Sequence, residues 1–140
     1  MKKYAGRQGS FALQLAEFAE QAKEAVDASL REVIIEIGNS LIRMSPVDTG
    51  RFRGNWQFTI EAPAAGTLSA LDPTGAEATA RIAGESILFR AGTTAFIVNN
   101  LPYAIPLEYG HSDQAPGGMV RITQARFQQI VEEAIRNNQV

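Results

Sequence analysis

The sequence predicts an α+β fold: a long N-terminal helix and a C-terminal helix packed on a small antiparallel β-sheet. Three observations predict it. Apolar residues at Phe11, Leu15, Phe18, Ala22, Val26, Leu30, Val33, Ile37, Leu41 and Met44 step by threes and fours, the period of one helix face. A second such face, with Val120, Phe127, Ile130, Val131 and Ile135, marks a final helix over 119–137. Between them, NWQFTI (55–60) alternates polar and apolar, and TAFIVN (94–99) is β-branched and aromatic, so both read as strands.

The first helix has Ser10 as an N-cap and an i,i+4 pair of Asp27 with Arg31. Gly38-Asn39 is its weak point, a place to kink or stop. Its length is informative. From Phe11 to Met44 it spans about 50 Å at a 1.5 Å rise, whereas a compact chain of this size is only ~37 Å across. Either it bends near Gly38, or another subunit buries part of its apolar stripe. The second reading is preferred and is a first indication of assembly.

Ser45-Pro46 stops that helix, because proline disfavours helical geometry in the residue before it. Residues 45–56 read as a loop, and Trp56, Phe58 and Ile60 as the inward side of the first strand. EAPAAGTLSALDPTG (61–75) reads as a mobile surface connection. Asp72-Pro73 opens a second helix, with aspartate as cap, proline at the first position, and Ala76, Ala80, Ala83 and Ile87 on one face. Gly84 weakens its end, and Ala91-Gly92 is a turn. Leu101-Pro102 breaks the second strand, 103–109 is a short helical turn, and 110–118 is a loop. A stable sheet usually needs three strands, so 61–71 or 87–89 is expected to add another. The chain reads as one domain over 1–140, with residues 1–9 as a flexible N-terminal segment.

Composition narrows the chemistry. Thirteen Lys and Arg against 15 Asp and Glu give a net charge of −2 with no basic block, so strong nonspecific nucleic-acid binding has no support. There is no cysteine, which removes thiolate nucleophiles and thiolate metal sites. One histidine and no cluster of carboxylates leave no basis for a zinc or oxygen-ligand metal site. No apolar run is long enough to span a bilayer. Glu17, Glu20 and Lys23 interrupt what would follow the basic N-terminus in a signal peptide, so a cytoplasmic protein is expected.

Three segments hold letters that suggest catalysis. His111-Ser112-Asp113 has the residue types of a hydrolase triad, but three adjacent residues rarely form a relay, and no G-x-S-x-G elbow surrounds Ser112. A turn in a polar loop is the better reading. Asp48-Thr49-Gly50 has the letters of an aspartic-protease signature but follows Ser-Pro-Val rather than an apolar strand. It reads as a turn in which Asp48 bonds backbone amides and Gly50 takes a positive φ. Arg51 and Arg53, two apart on an extended segment, would face the same side. Glu108, between Leu107 and Tyr109, would need a partner if buried, and Arg51, Arg53 or Arg121 are the candidates. A structural ion pair is preferred to an acid or base of raised pKa.

Two blocks, SPVDTGRFRGNW (45–56) and NNLPYAIPLEYGHSDQAPGGMVR (99–121), resemble the signature blocks of tailed-phage tail-completion and head–tail joining proteins of the HK97 gp10-like and phage-lambda-Z-like kinds. They come in that family's order, between a long N-terminal helix and a C-terminal one. LDPTGAEA (71–78) is similar to a subset with a helix between the blocks. The resemblance implies a virion structural protein of the tail or neck, assembled in the bacterial host cytoplasm, with no catalytic residues, cofactor, metal or small-molecule substrate. Its partners would be other tail and head-connector proteins and further copies of itself, a hexameric ring being expected, with at most weak lining contacts to DNA. Asp48, Gly50, Arg51, Arg53, Trp56, Asn100, Tyr103, Glu108, Tyr109, Gly110, His111, Gly118 and Arg121 are the candidate interface and structural positions in these blocks. Two rival readings are a small hydrolase using Glu108, Asp48 or His111, and a DNA-contacting accessory protein using Arg43, Arg51, Arg53, Arg121 and Arg126 as one patch.

Overall fold

The helical period of the first third of the chain is realised without a break. In a computed structural model, which describes residues 7–139, helix α1 runs Arg7–Met44, 38 residues. At 1.5 Å per residue it is about 57 Å long. The flexible segment expected over 1–9 lies largely outside the described residues, but 7–9 are already helical. Ser10 is therefore inside the helix and is not its N-cap.

Gly38 neither kinks nor ends α1; it lets a second helix come close. A Cβ there would sit 3.2 Å from Cγ2 of Ile82 on helix α2 (Ala76–Ser86). The expected Asp27–Arg31 pair does not form. Both side chains turn to the segment after α2, where the Asp27 carboxylate accepts from Ala91 N–H at 2.8 Å and Arg31 Nε donates to Phe89 C=O at 3.3 Å. Those backbone groups have no strand or helix partner, and satisfying them is worth more than an exposed ion pair on a helix surface.

Strands β1 (Gln57–Ile60) and β2 (Ala95–Val98) pair antiparallel, with Phe58 opposite Ile97. Trp56 and Phe58 are buried as the alternation predicts, and Ile60 is half-buried. β2 is half-buried along its length rather than mostly buried. The sheet has two strands, and neither 61–71 nor 87–89 adds a third. Such a ribbon is marginal alone. Here Ile34, Leu41 and Ile42 of α1, with Ile82 of α2 and Met119, close the core around Trp56 and Phe58.

Helix α2 begins three residues later than Asp72-Pro73 suggests, with Gly75 in the left-handed region as its N-cap residue. Asp72 nonetheless satisfies the helix start, since its carboxylate accepts from Ala78 N–H at 2.9 Å. The buried face is Ala78, Ile82 and Ser86, whereas Ala76, Ala80 and Ile87 are exposed. The alanine steps were misleading because alanine is small enough to suit either face.

The chain then forms a short helix α3 (Ala104–Glu108) and two helices, α4 (Val120–Ala125) and α5 (Phe127–Asn137), where one was expected. The break falls at Arg126, whose guanidinium donates to Ser40 Oγ at 3.3 Å beside a buried Ser40–Thr123 hydroxyl pair 2.6 Å apart. α5 lies along α1 with Ile130 and Ala134 buried on Val33. Of the rest of its expected apolar face, Val131 packs against that cluster, and Phe127 and Ile135 are half exposed. Every residue of α1 from 11 to 21 is exposed.

Replacing Gly38 by leucine should force α1 and α2 apart. The expected cost is about 1–3 kcal/mol, as for other overpacked cores, read as a lower urea midpoint with an unchanged slope. A stability equal to the parent's would contradict the close approach.

Candidate functional site

The first block, 45–56, folds over the C-terminal end of α1. Ser45 Oγ donates to Leu41 C=O at 2.6 Å and accepts from Trp56 Nε1 at 2.8 Å, both within the core. Phe52 meets the Trp56 ring edge-on at 5.8 Å between centroids. Arg53 does not lie beside Arg51 on an extended segment, because residues 53–55 form a 3₁₀ turn. Its guanidinium turns inward and donates to Arg43 C=O at 3.2 Å, Ser45 C=O at 2.8 Å and Pro73 C=O at 3.0 Å. A cation there satisfies carbonyls that the helix leaves open and complements the negative end of its dipole. Arg51 stays exposed.

Gly50 takes the expected positive φ, +90°. Its carbonyl accepts from both Gly54 N–H and Asp72 N–H at 3.0 Å. The turn is held by Thr49 rather than Asp48, since Thr49 Oγ1 accepts from Arg51 N–H at 3.3 Å. Asp48 points to solvent. Asn55 is fully buried, although no pattern in the sequence marks it. Its amide donates to Arg51 C=O at 2.7 Å and Leu68 C=O at 3.0 Å, and its oxygen accepts from Leu68 N–H at 2.7 Å. Asn100 adds bonds to Ala64 C=O and Gly66 C=O at 2.8 and 3.0 Å. The 61–75 connection, expected to be mobile, is thus pinned at three backbone positions along its course. Two asparagines with no periodicity around them gave no signal for this.

The second block, 99–121, is organised by Glu108. Its Oε1 accepts from the N–H groups of Met119 and Val120, both at 2.8 Å. Its Oε2 accepts from Arg121 N–H at 3.0 Å and from Arg121 Nε at 3.2 Å, while the far end of that guanidinium donates back to Glu108 C=O. One carboxylate therefore caps the start of α4 and anchors the loop that precedes it. Of the three arginines considered, Arg121 is the partner. The guanidinium also lies 5.0 Å above the Tyr109 ring, which is otherwise exposed. Burial alone would raise the Glu108 pKa. The amides of Val120, Arg121 and Met119, with the Arg121 side chain, outweigh it and hold the group below its ordinary value of 4.5. Gly118 is required beside it: φ is +84°, and a Cβ would collide with the Glu108 carbonyl oxygen.

The rest of the loop is turn chemistry. Gly110 has φ +86°, and His111 N–H donates to Pro106 C=O at 3.2 Å. Ser112 Oγ accepts from Gln114 N–H at 3.2 Å. The side chains of His111, Ser112 and Asp113 make no hydrogen bond to one another, and His111 and Asp113 are exposed.

The two blocks meet. Gln114 donates to Val47 C=O and accepts from Val47 N–H, at 3.1 and 2.9 Å, as a neighbouring strand would. Asn99 donates to Phe52 C=O at 2.9 Å, and Tyr103 stands 6.0 Å from Phe52. Their junction is a depression of about 370 Å³ lined by Pro46, Asp48, Arg51, Tyr103, Leu107 and Gln114. Gly50 lines this junction, whereas Trp56, Asn100, Glu108, Gly118, Arg53 and Arg121 shape the two blocks on either side of it. Asp48 and Arg51, on its walls, are exposed, as are Tyr109 and His111 outside it.

Among the described residues no group of three His, Asp or Glu side chains could hold a metal ion, and no helix is long and apolar enough to cross a membrane. Comparison of the chain with protein-family models, curated proteins and solved structures found no match.

Because Glu108 has a depressed pKa, the stability it contributes is present above the unfolded value near 4.5 and is lost as pH falls through the folded value. Glu108→Gln should flatten that acid limb while leaving the amide contacts partly in place. Glu108→Ala should cost about 2–3 kcal/mol at neutral pH. An acid limb identical in parent and Glu108→Gln would contradict the assignment.

Proposed function

We propose that this chain is a structural protein of the tail or neck of a tailed-phage virion, acting in tail completion or head–tail joining by protein–protein assembly. Its partners are taken to be further copies of itself, arranged as a ring at the tail–connector joint, and other tail and head-connector proteins. The observation that carries the reading is the uncovered apolar face on the first turns of α1. A chain that keeps Phe11, Leu15 and Phe18 in water on an unbroken helix is built to have them covered by a protein surface.

The two blocks that resemble the tail-completion family support the same reading. Gly50, Arg53, Glu108 and Gly118 in them set the course of the two loops, and the exposed residues Asp48, Arg51, Tyr109 and His111 stand where a neighbour would touch. The rivals find less. A hydrolase using His111 lacks a side-chain relay, and Glu108 is committed to α4 as a carboxylate held by three amides and Arg121, which lower its pKa. Of the five arginines of a DNA patch, Arg53, Arg121 and Arg126 are engaged by groups within the chain, which leaves Arg43 and Arg51 with no side-chain hydrogen bond.

Deleting the gene from the phage or prophage genome that carries it should give filled heads and unjoined or incompletely ended tails by electron microscopy. Complementation in trans should restore joined particles. Normal infectious particles without the gene would overturn the reading.

A further inference from the structure

Phe11, Leu15 and Phe18 follow one another by four and three, the spacing of a seam that packs against another helix. They are 62%, 52% and 59% exposed. The same face of α1, a few turns on, is where α5 packs, with Ile130 and Ala134 on Val33 and the Ser29 hydroxyl 3.4 Å from Ala134 C=O. α5 ends at Asn137, whose side chain donates to Glu32 at 2.8 Å. Before Ala22 the seam has no cover among the described residues.

Where the two helices do pack, they leave an apolar groove of about 520 Å³ between them. Val26 on one side and Phe127 and Ile135 on the other are each about half exposed in its walls. One chain therefore carries both an apolar ridge and an apolar groove. Its own ridge cannot fill its own groove, because both belong to a single unbroken helix.

We propose that the groove between α1 and α5 receives the Phe11–Leu15–Phe18 ridge of a second copy of this chain. The inference rests on the assembly reading above and names the contact through which copies associate. An amphipathic helix laid in an apolar groove, anchored at i, i+4 and i+7, is a recurrent recognition mode. Three phenylalanines of about 200 Å² each, about half exposed, with Leu15, Val26 and Ile135, offer on the order of 600 Å² of apolar surface. Ridge and groove are the two sides of one contact, and a standard interface buries about 1,600 Å² in total, so this surface forms the apolar centre of such a contact, within a polar rim. Pairing ridge with ridge would leave the groove wet on both copies. Ridge in groove covers both surfaces, and such a head-to-tail contact closes as a ring where its rotation permits, which covers them on every copy.

The absence of cysteine makes the test clean. Gln14→Cys places a thiol beside the ridge, and Gln128→Cys or Arg136→Cys places one on α5. Within one chain the first pair is far apart: Ile130 packs on Val33, about 28 Å from Gln14 along α1. A short bis-maleimide should therefore join Gln14→Cys chains to α5-cysteine chains when the two are mixed, and should join neither kind to itself. Adding Phe18→Asp to the Gln14→Cys chain should cut the yield about tenfold or more, as loss of a central aromatic anchor does, with unchanged helical circular dichroism. Self-linking of Gln14→Cys alone would overturn the proposal in favour of ridge pairing. Oligomers in sedimentation without the mixed link would overturn the contact and leave assembly standing. A monomer at all concentrations with no link would overturn both.

Discussion

One helix longer than its domain sets the terms for everything else in this molecule. α1 is 38 residues and about 57 Å long, and a compact chain of this size is only ~37 Å across. The remaining elements can cover only part of it. They gather on its C-terminal half, where Ile34, Leu41 and Ile42 meet α2, the two-stranded ribbon and the loop blocks, and Val33 meets α5. The N-terminal turns are left with their apolar side in water. The cost of exposing Phe11, Leu15 and Phe18 is the physical reason to read the chain as one member of an assembly.

The loop blocks show how a chain with only eight strand residues among those described holds its shape. Each is organised by buried or half-buried polar side chains that satisfy backbone groups no regular element satisfies. Arg53 takes up the open carbonyls at the end of α1, Asn55 pairs with Leu68 as a strand would, and Glu108 collects the amides at the start of α4. Removing any of these strands several backbone groups at once, so each is worth more than a single hydrogen bond. The residues that look most chemical in the sequence, His111, Ser112 and Asp113, contribute one turn.

Much of the fold was legible because periodicity reports burial directly. The steps from Phe11 to Met44, the Ser45-Pro46 stop, the alternation around Trp56 and Phe58 and the turn after Leu101 all appear where the pattern puts them. The failures share a cause: a residue whose partner is distant in sequence. Asp27 and Arg31 look paired on a helix but serve the backbone near Ala91 and Phe89. Gly38 reads as a breaker until Ile82 packs on it. Alanines 76, 80 and 83 mimic a buried face, while Ala78, Ile82 and Ser86 are the ones that meet α1 and the core. In the candidate site, Glu108 with Arg121 was visible as a pairing of opposite charges. The pinning by Asn55 was not, because a lone asparagine carries no period and no charge.

Hydrogen exchange along α1 as protein concentration rises tests the central claim most directly. The amides of 30–44 belong to the core and should be protected at every concentration. Those of 11–22 should exchange quickly in the dilute monomer and become protected as copies associate, because their apolar side is then covered. Equal protection of both halves in the dilute monomer, or association that leaves 11–22 as fast as before, would contradict the claim that this stripe is an assembly surface.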